Sequence, residues 1–405
     1  MAAPDAPAVV NETPSVSQES EKSSDKETSL AVPPYPEEKK EEPIPEAQAT
    51  TLQEVPGPAA DDELLDVWRR EMDHAMEQPA GQRKIRLPLA VLENQRVRHF
   101  LNGFSGGQRN FFERALARSG RYVPLMASIL REEGLPEDLV YLALIESGFS
   151  PYAHSRMKAV GPWQFMRPTA LSYGLKIDSW VDERRDPVLS TRAAAAYLRD
   201  LHQKFGEWFL AAAAYNAGQG RVGRALQRSR TNDFWGLSQE RKYLALETRN
   251  YVPKFIAAAV IANAPDQYGF EEVVYEVPLQ YDEVTIHTPL RLETVAKLAN
   301  TDVEVIKELN PALLRNFTPP NREVFTLRLP FGSGETFTDA YELLPASAKI
   351  KVSLHRVKKG ETLSKIAKEH GQSVKHILKE NGLTSSRIRP GQELVIVRQG
   401  ALNKR

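Results

Sequence analysis

Between about Pro88 and Asn263 apolar residues recur every third or fourth position, and the spacing predicts helices over 91–101, 108–118, 121–133, 138–146, 192–205, 209–215 and 251–262. The breakers between them are Gly106-Gly107, Gly120, Gly134-Leu135-Pro136, Gly148 and residues 218–220, so the connections are short. Ser190 or Thr191 suits the N-cap of the alanine-rich helix, with Pro187 just ahead. An all-helical unit of roughly 180 residues follows, large enough for its own core. Upstream, Leu64, Trp68, Met72 and Met76 mark one more amphipathic helix beginning at Asp61 or Asp62, which Pro79-Ala80-Gly81 stops.

Past Tyr268 the pattern shortens. Residues 272–277, 284–287 and 325–329 are β-prone runs. Leu292 to Ala299 parallels Glu361 to Ala367, and Asn310 falls near where Asn381 stands in the second copy, so a weak repeat of strand, helix, helix, strand is expected. The fold class is mainly α, α+β overall, with a helical domain followed by small βααβ units. The expected division is a linker over 1–60, a helix and connector over 61–86, the helical domain over 87–267 and a β-containing annex over 268–335. A second linker over 336–352, a βααβ module over 353–398 and a tail over 399–405 complete it.

Composition changes this picture mainly at the ends. The first 60 residues hold 10 of the 28 prolines and 12 acidic against 4 basic residues. Such a segment cannot bury enough apolar surface to offset its ordering entropy, so disorder is expected. Residues 351–405 carry 13 Lys plus Arg against 4 Glu, which favours an anionic polymer as partner. Nucleic acid is not expected, because no aromatic interleaving or recognisable nucleic-acid module accompanies the charge. Cysteine is absent, which excludes disulfides and a lipid-modified cysteine in this sequence. No run approaches the ~18 apolar residues of a membrane span, and the N-terminus lacks the basic and apolar regions of an export signal. Two compartments stay open, the cytoplasm or the periplasm and cell envelope with the export segment missing.

One carboxylate has an unusual approach. Val140 to Ile145 run uninterrupted into Glu146, and desolvation there raises a carboxyl pKa and keeps it protonated near neutral pH. A neutral carboxylic acid can protonate a departing glycosidic oxygen. Asp178, Asp182, Glu183 and Asp186 lie in a polar stretch with arginines and are expected to make caps and salt bridges. His154 sits in a loop and is given no role.

Five segments in fixed order carry a resemblance: residues 143–149 (ALIESGF), 161–166 (GPWQFM), 182–187 (DERRDP), 213–218 (AAYNAG) and 247–252 (ETRNYV). Together they resemble the lysozyme-like catalytic domain of the membrane-bound lytic murein transglycosylase D family, over about Leu87 to Ala262. Pro162 departs from the leucine of many relatives in the wider lysozyme-like group. The resemblance implies that Glu146 is the catalytic acid for the β-1,4 bond between N-acetylmuramic acid and N-acetylglucosamine. It implies that the same carboxylate then takes the proton of the muramoyl C6 hydroxyl, leaving a 1,6-anhydro end, with the 2-acetamido group in place of a second carboxylate. Gln164, Met166, Tyr215 and Asn216 match groove-lining positions. The resemblance implies that Glu247 and Tyr251 contact sugar or brace the site, with a structural ion pair to Arg249 or Arg185 as the alternative. Ser147 either bonds substrate or braces its loop.

Residues 354–397 resemble a LysM module, through His355 to Leu363, Ile366-Ala367, Asn381 to Leu383 and Ile388 to Leu394. The resemblance implies a glycan groove bordered by Gly360, Glu361, Thr362, Leu363, Asn381, Leu383 and Ile388. The copy at about 284–330 lacks the turn glycine and reads as a degenerate module or a packing annex. The expected partner is therefore the peptidoglycan glycan strand, bound by a monomer with no cofactor and no metal. A lysozyme-type muramidase and a non-catalytic wall-binding protein remain the alternatives.

Overall fold

The computed structural model describes residues 94–345 and 351–398. The expected N-terminal linker, the helix after Asp61 and the C-terminal tail lie outside the described residues.

Helices α1 (Gln95–Ser105), α2 (Arg109–Glu132), α3 (Tyr141–Ser147) and α4 (Arg167–Ser172) come first. Next are α5 (Pro187–Phe205), α6 (Trp208–Ala217), α7 (Gln219–Arg228), α8 (Phe234–Gln239) and α9 (Leu246–Asn263). One apolar cluster joins them, and α9 packs against α1, α3 and α6 at its centre. Ala193 to Ala195 on α5 and Ala211 to Ala214 on α6 are buried, and their small side chains let these two helices approach closely. In α3 every side chain from Tyr141 to Ser147 is buried except that of Glu146, which is half-buried with its carboxyl shielded from water, so packing of the whole helix holds that one residue in place. Gly148 ends α3 at φ 58° and carries the chain into the loop that follows.

Two small antiparallel sheets follow. Strands β1 (Tyr281–Ile286) and β2 (Phe325–Pro330) pair from Tyr281↔Pro330 to Ile286↔Phe325, with α10 (Leu292–Leu298) and α11 (Val303–Leu309) between them. After α12 (Gly334–Glu342), β3 (Lys351–Arg356) and β4 (Glu393–Arg398) pair in the same manner around α13 (Leu363–Glu369) and α14 (Val374–Glu380). The expected repeat is present in detail. Asn310 Nδ2 donates to the carbonyls of Ile306 and Arg328 while its Oδ1 accepts from Arg328 N. Asn381 does the same with Ile377, Val395 and Val395 N. Each asparagine ties the end of a second helix to the last strand of its copy.

The three units are stitched together. Asp182 N donates to Ala312 O at 2.9 Å and Leu314 N to Trp180 O at 2.8 Å, so Trp180 and Val181 join the core of the 281–344 unit. A buried pair, Arg328 Nη1 to Asp186 Oδ2 at 2.7 Å, lies beside this seam. Along β4 the side chains alternate: Leu394 and Ile396 face their own helices, whereas Val395 and Val397 enter the neighbouring core. Arg291 pairs with Glu380 at 2.7 Å, and Ser179 donates to the Glu393 carboxylate across the same junction.

Three expectations are corrected. Gly120 does not break a helix: α2 runs unbroken, and a Cβ at Gly120 would stand 2.5 Å from Glu276 O, so the glycine admits a crossing chain. That chain is the β-prone run 272–277, which forms no strand. It docks on α2 through Glu276 N to Ala117 O and Leu279 N to Arg121 O, leaving Val274 and Val277 exposed. The alanine-rich helix starts at Pro187, capped by Asp186 on Val188 N and Leu189 N at 2.9 Å each. Ser190 and Thr191 lie inside the helix, where their hydroxyls donate to Asp186 O and Pro187 O. Proline at the first helical position loses no hydrogen bond, which favours the earlier start.

Candidate active site

Glu146 is the penultimate residue of α3, and α9 brings Tyr251 to its carboxyl group and Lys254 to the neighbouring backbone. Tyr251 Oη donates to Glu146 Oε1 at 2.7 Å, and Lys254, one turn further on, sends its ammonium to Ile145 O at 3.2 Å. Burial pushes the Glu146 carboxyl above the ordinary carboxylate range, and Glu247 adds to this, while the Tyr251 hydrogen bond and the Lys254 charge oppose it. Desolvation leads, so the acid is protonated further up the pH scale than a surface glutamate. The same burial lowers Lys254 and raises Tyr251 and Tyr215, so both phenols stay protonated as donors. Lys254 was not legible as a site residue: a lysine three positions after a tyrosine reads as helix surface until α9 proves buried on nearly every face.

The loop after α3 supplies a second wall. Gly161, at φ 85°, passes so close to the 183–185 turn that a Cβ there would lie 1.9 Å from Arg184 O. Beneath it Trp163 is fully buried, with Nε1 donating to Thr191 Oγ1 at 2.9 Å. Gln164 adopts φ 47° and donates through Nε2 to Gly161 O at 2.8 Å and Ala153 O at 3.2 Å. Met166 follows at 42 % exposure, an apolar surface open to a ligand. Arg184 fixes this loop by donating to Lys158 O and Phe165 O while pairing with Asp182 at 2.7 Å.

The α6 end closes the third side. Tyr215 Oη donates to Trp163 O at 2.7 Å, and its ring packs on Tyr197 and Phe165. Burial, and after it the Glu146 charge, hold the phenol well above its ordinary range. Asn216 Nδ2 reaches Glu247 Oε1 at 3.3 Å and its Oδ1 accepts from Thr248 at 3.0 Å, which bridges α6 to the start of α9. Glu247 thus pairs with Asn216 in this structure, not with Arg249 or Arg185; Arg249 donates instead to Ser238 O.

Of the two readings open for Ser147, its contacts are those of a loop brace. It is 1 % exposed, and its hydroxyl is spent on Pro162 O at 2.7 Å and Ala143 O at 3.2 Å. Asp178, Asp182, Glu183 and Asp186 make caps and ion pairs as expected from their polar stretch.

Three family models match in series. Residues 126–237 match the transglycosylase SLT domain, 280–346 the LysM-like domain of lytic transglycosylase MltD, and 355–397 the LysM domain. Membrane-bound lytic murein transglycosylase D of Escherichia coli K12 is 31% identical over 324 residues, covering 76% of this chain and 70% of that protein. The chain belongs to the membrane-bound lytic murein transglycosylase D family. The SLT match falls on the mainly helical part, and the two LysM-type matches fall on the two βααβ units behind it. Peptidoglycan transglycosylase gp16 of phage T7 is 40% identical over 116 residues, 27% of this chain and 9% of that protein. Among solved structures, lytic transglycosylase Slt of Pseudomonas aeruginosa matches 37% of this chain and 25% of its own at 27% identity, with a TM-score of 0.30. The 70 kDa soluble transglycosylase of E. coli matches 56% of this chain and 40% of its own at 19% identity, with a TM-score of 0.29.

In the LysM unit the expected groove residues divide into two groups. Gly360 turns at φ 86°, and Glu361 holds the turn by accepting from Lys358 N at 2.8 Å and His355 Nε2 at 3.0 Å, which keeps its carboxyl below the ordinary range. Thr362 caps α13 through Lys365 N. Leu383 and Ile388 are half-buried at the module's edge. Leu363 and Asn381 are corrected: both are internal, the first in the module's core and the second in the hydrogen bonds to β4.

Proposed function

We propose that the chain is a peptidoglycan lytic transglycosylase in which Glu146 serves first as acid and then as base, with the LysM unit holding the enzyme on the wall. The observation that carries this reading is the Glu146 carboxyl itself, raised by burial and accepting from Tyr251 at 2.7 Å. Protonated Glu146 gives its proton to the β-1,4 glycosidic oxygen as the bond to muramoyl C1 breaks. Charge then appears on the carboxylate, where Tyr251 and Lys254 meet it. The muramoyl C6 hydroxyl attacks C1 and its proton returns to Glu146, so water is not consumed. The 2-acetamido group stabilises C1 in place of a second carboxylate.

Glycan is held between Gln164 and Met166 on one side and Tyr215, Asn216 and Glu247 on the other. Gly360, Glu361 and Thr362 with Leu383 and Ile388 supply the wall-binding edge of the LysM unit, and its excess of basic residues adds attraction for wall carboxylates. The expected site of action is the bacterial cell envelope, and the expected state is a monomer acting without a cofactor. No helix among the described residues is long and apolar enough to cross a membrane.

Digestion of purified murein followed by mass spectrometry tests the reading. Muropeptides ending in 1,6-anhydromuramic acid are expected. Reducible hemiacetal ends in their place would establish a hydrolase, and failure of Glu146→Gln to reduce solubilisation by a folded chain would establish a binding protein.

A further inference from the structure

Beyond the Asn216–Glu247 bridge lies a cavity of ≈ 180 Å³ lined by Arg221, Arg224, Arg228, Lys242, Tyr243 and Thr248, among others. The three arginines stand on one face of α7 at spacings of three and four residues. All three are exposed, and none has an ion pair or hydrogen-bonding carboxylate among the described residues. By contrast, Arg121, Arg131, Arg192, Arg199 and Arg322 on the same molecule are each paired with an acidic side chain, and what marks the three is that they share one cavity. Lys242 is matched by Glu240 and lies over the Tyr243 ring at 4.7 Å, so it adds no free charge. The unmatched charge is therefore that of three guanidinium groups converging on one concave surface.

The cavity shares a wall with the catalytic groove. Ala217 and Thr248 line it, and their neighbours Asn216 and Glu247 form the bridge on the other side, with Thr248 itself bonded to Asn216. A murein strand is a neutral sugar backbone bearing short peptides that end in carboxylates, and guanidinium forks fit a carboxylate in two-point contact. We infer that the Arg221, Arg224 and Arg228 cavity is a subsite for the free carboxylates of the stem peptide on the sugar bound beside Glu146. This rests on the transglycosylase reading, and it adds a discrimination that the groove alone does not supply: peptide-bearing strands are preferred over bare ones.

The test has two arms. In the first, the full chain carrying Glu146→Gln is titrated calorimetrically with stem peptide released by an amidase. Binding is expected to weaken about tenfold or more on adding Arg224→Ala and Arg228→Ala, with a shallower salt dependence. Peptide with amidated carboxylates is expected not to bind. Equal affinity for the amidated peptide, equal competition by glycerol phosphate, or no loss in the arginine variant overturns the assignment. In the second arm, the arginine variant with Glu146 intact is compared with the parent on peptide-bearing and on denuded glycan strands. KM is expected to rise about tenfold on the former, with kcat/KM on the latter unchanged. An equal loss on both substrates overturns the subsite. A parent chain that cleaves neither substrate overturns the catalytic reading instead, and the titration still decides the subsite.

Discussion

Tyr251→Phe isolates the one hydrogen bond that the candidate acid receives from a side chain among the described residues. The ring is 6 % exposed and phenylalanine fills the same space, so the perturbation is the loss of a donor at 2.7 Å from Glu146 Oε1. A hydrogen bond to a charged group contributes about 1.5–3 kcal/mol net. Because the carboxylate appears only as the proton leaves, this bond strengthens along the reaction and its loss falls mainly on the barrier. At about 1.4 kcal/mol per factor of ten, kcat should drop roughly 10- to 100-fold with little change in KM. The hydroxyl stabilises the ionised form, so its removal raises the Glu146 pKa further and moves the alkaline limb of the rate profile to higher pH. Turbidity loss of a murein suspension, followed from acid to alkaline pH for both proteins, measures each quantity. An alkaline limb that stays in place or moves down, with kcat unchanged, would refute the role given to Tyr251.

Glu146→Gln should abolish solubilisation while stabilising the fold in a pH-dependent manner. The folded carboxyl has a raised pKa, so the folded state keeps a proton that the unfolded chain has released, and stability falls as pH climbs from the ordinary carboxylate range toward the folded value. The Tm advantage of the variant should therefore widen from acid to neutral pH and vanish in acid; scanning calorimetry at several pH values reads it. Gly161→Ala puts a Cβ against the Arg184 carbonyl at a left-handed backbone position, so loss of both folding yield and activity is expected by circular dichroism and the murein assay. Asp186→Ala removes the cap of α5 and leaves Arg328 buried with Glu283 as its remaining carboxylate partner, a loss of about 3–5 kcal/mol in urea unfolding.

Much of this site can be read from local chemistry. The apolar approach to Glu146 is a contiguous run, and Gly148 stands where a left-handed turn is needed, so sequence order alone places the acid at a helix end. Contacts across the fold are less legible. Tyr251 and Lys254 become partners of Glu146 only because α9 is buried on nearly all sides, and its even apolar distribution hides which face meets α3. Val273, Val274, Tyr275 and Val277 have strand composition, yet the chain there docks on carbonyls of α2 and not on a strand. Asn381 looks like a ligand contact in a motif, whereas its register opposite Val395 spends both ends of the amide.

The seam formed by Trp180, Val181, Arg328 and the outer face of β4 joins the LysM unit to the helical unit through packed side chains of the 281–344 unit, an attachment stiffer than a slack tether. With a slack tether, a second binding event gains from effective concentration whatever the direction of the strand, and the gain fades slowly with tether length. With a stiff one the gain is directional. A glycan running along the line from the LysM edge to Glu146 is held twice, and one crossing that line is held once, so avidity itself sorts strands by orientation in the wall.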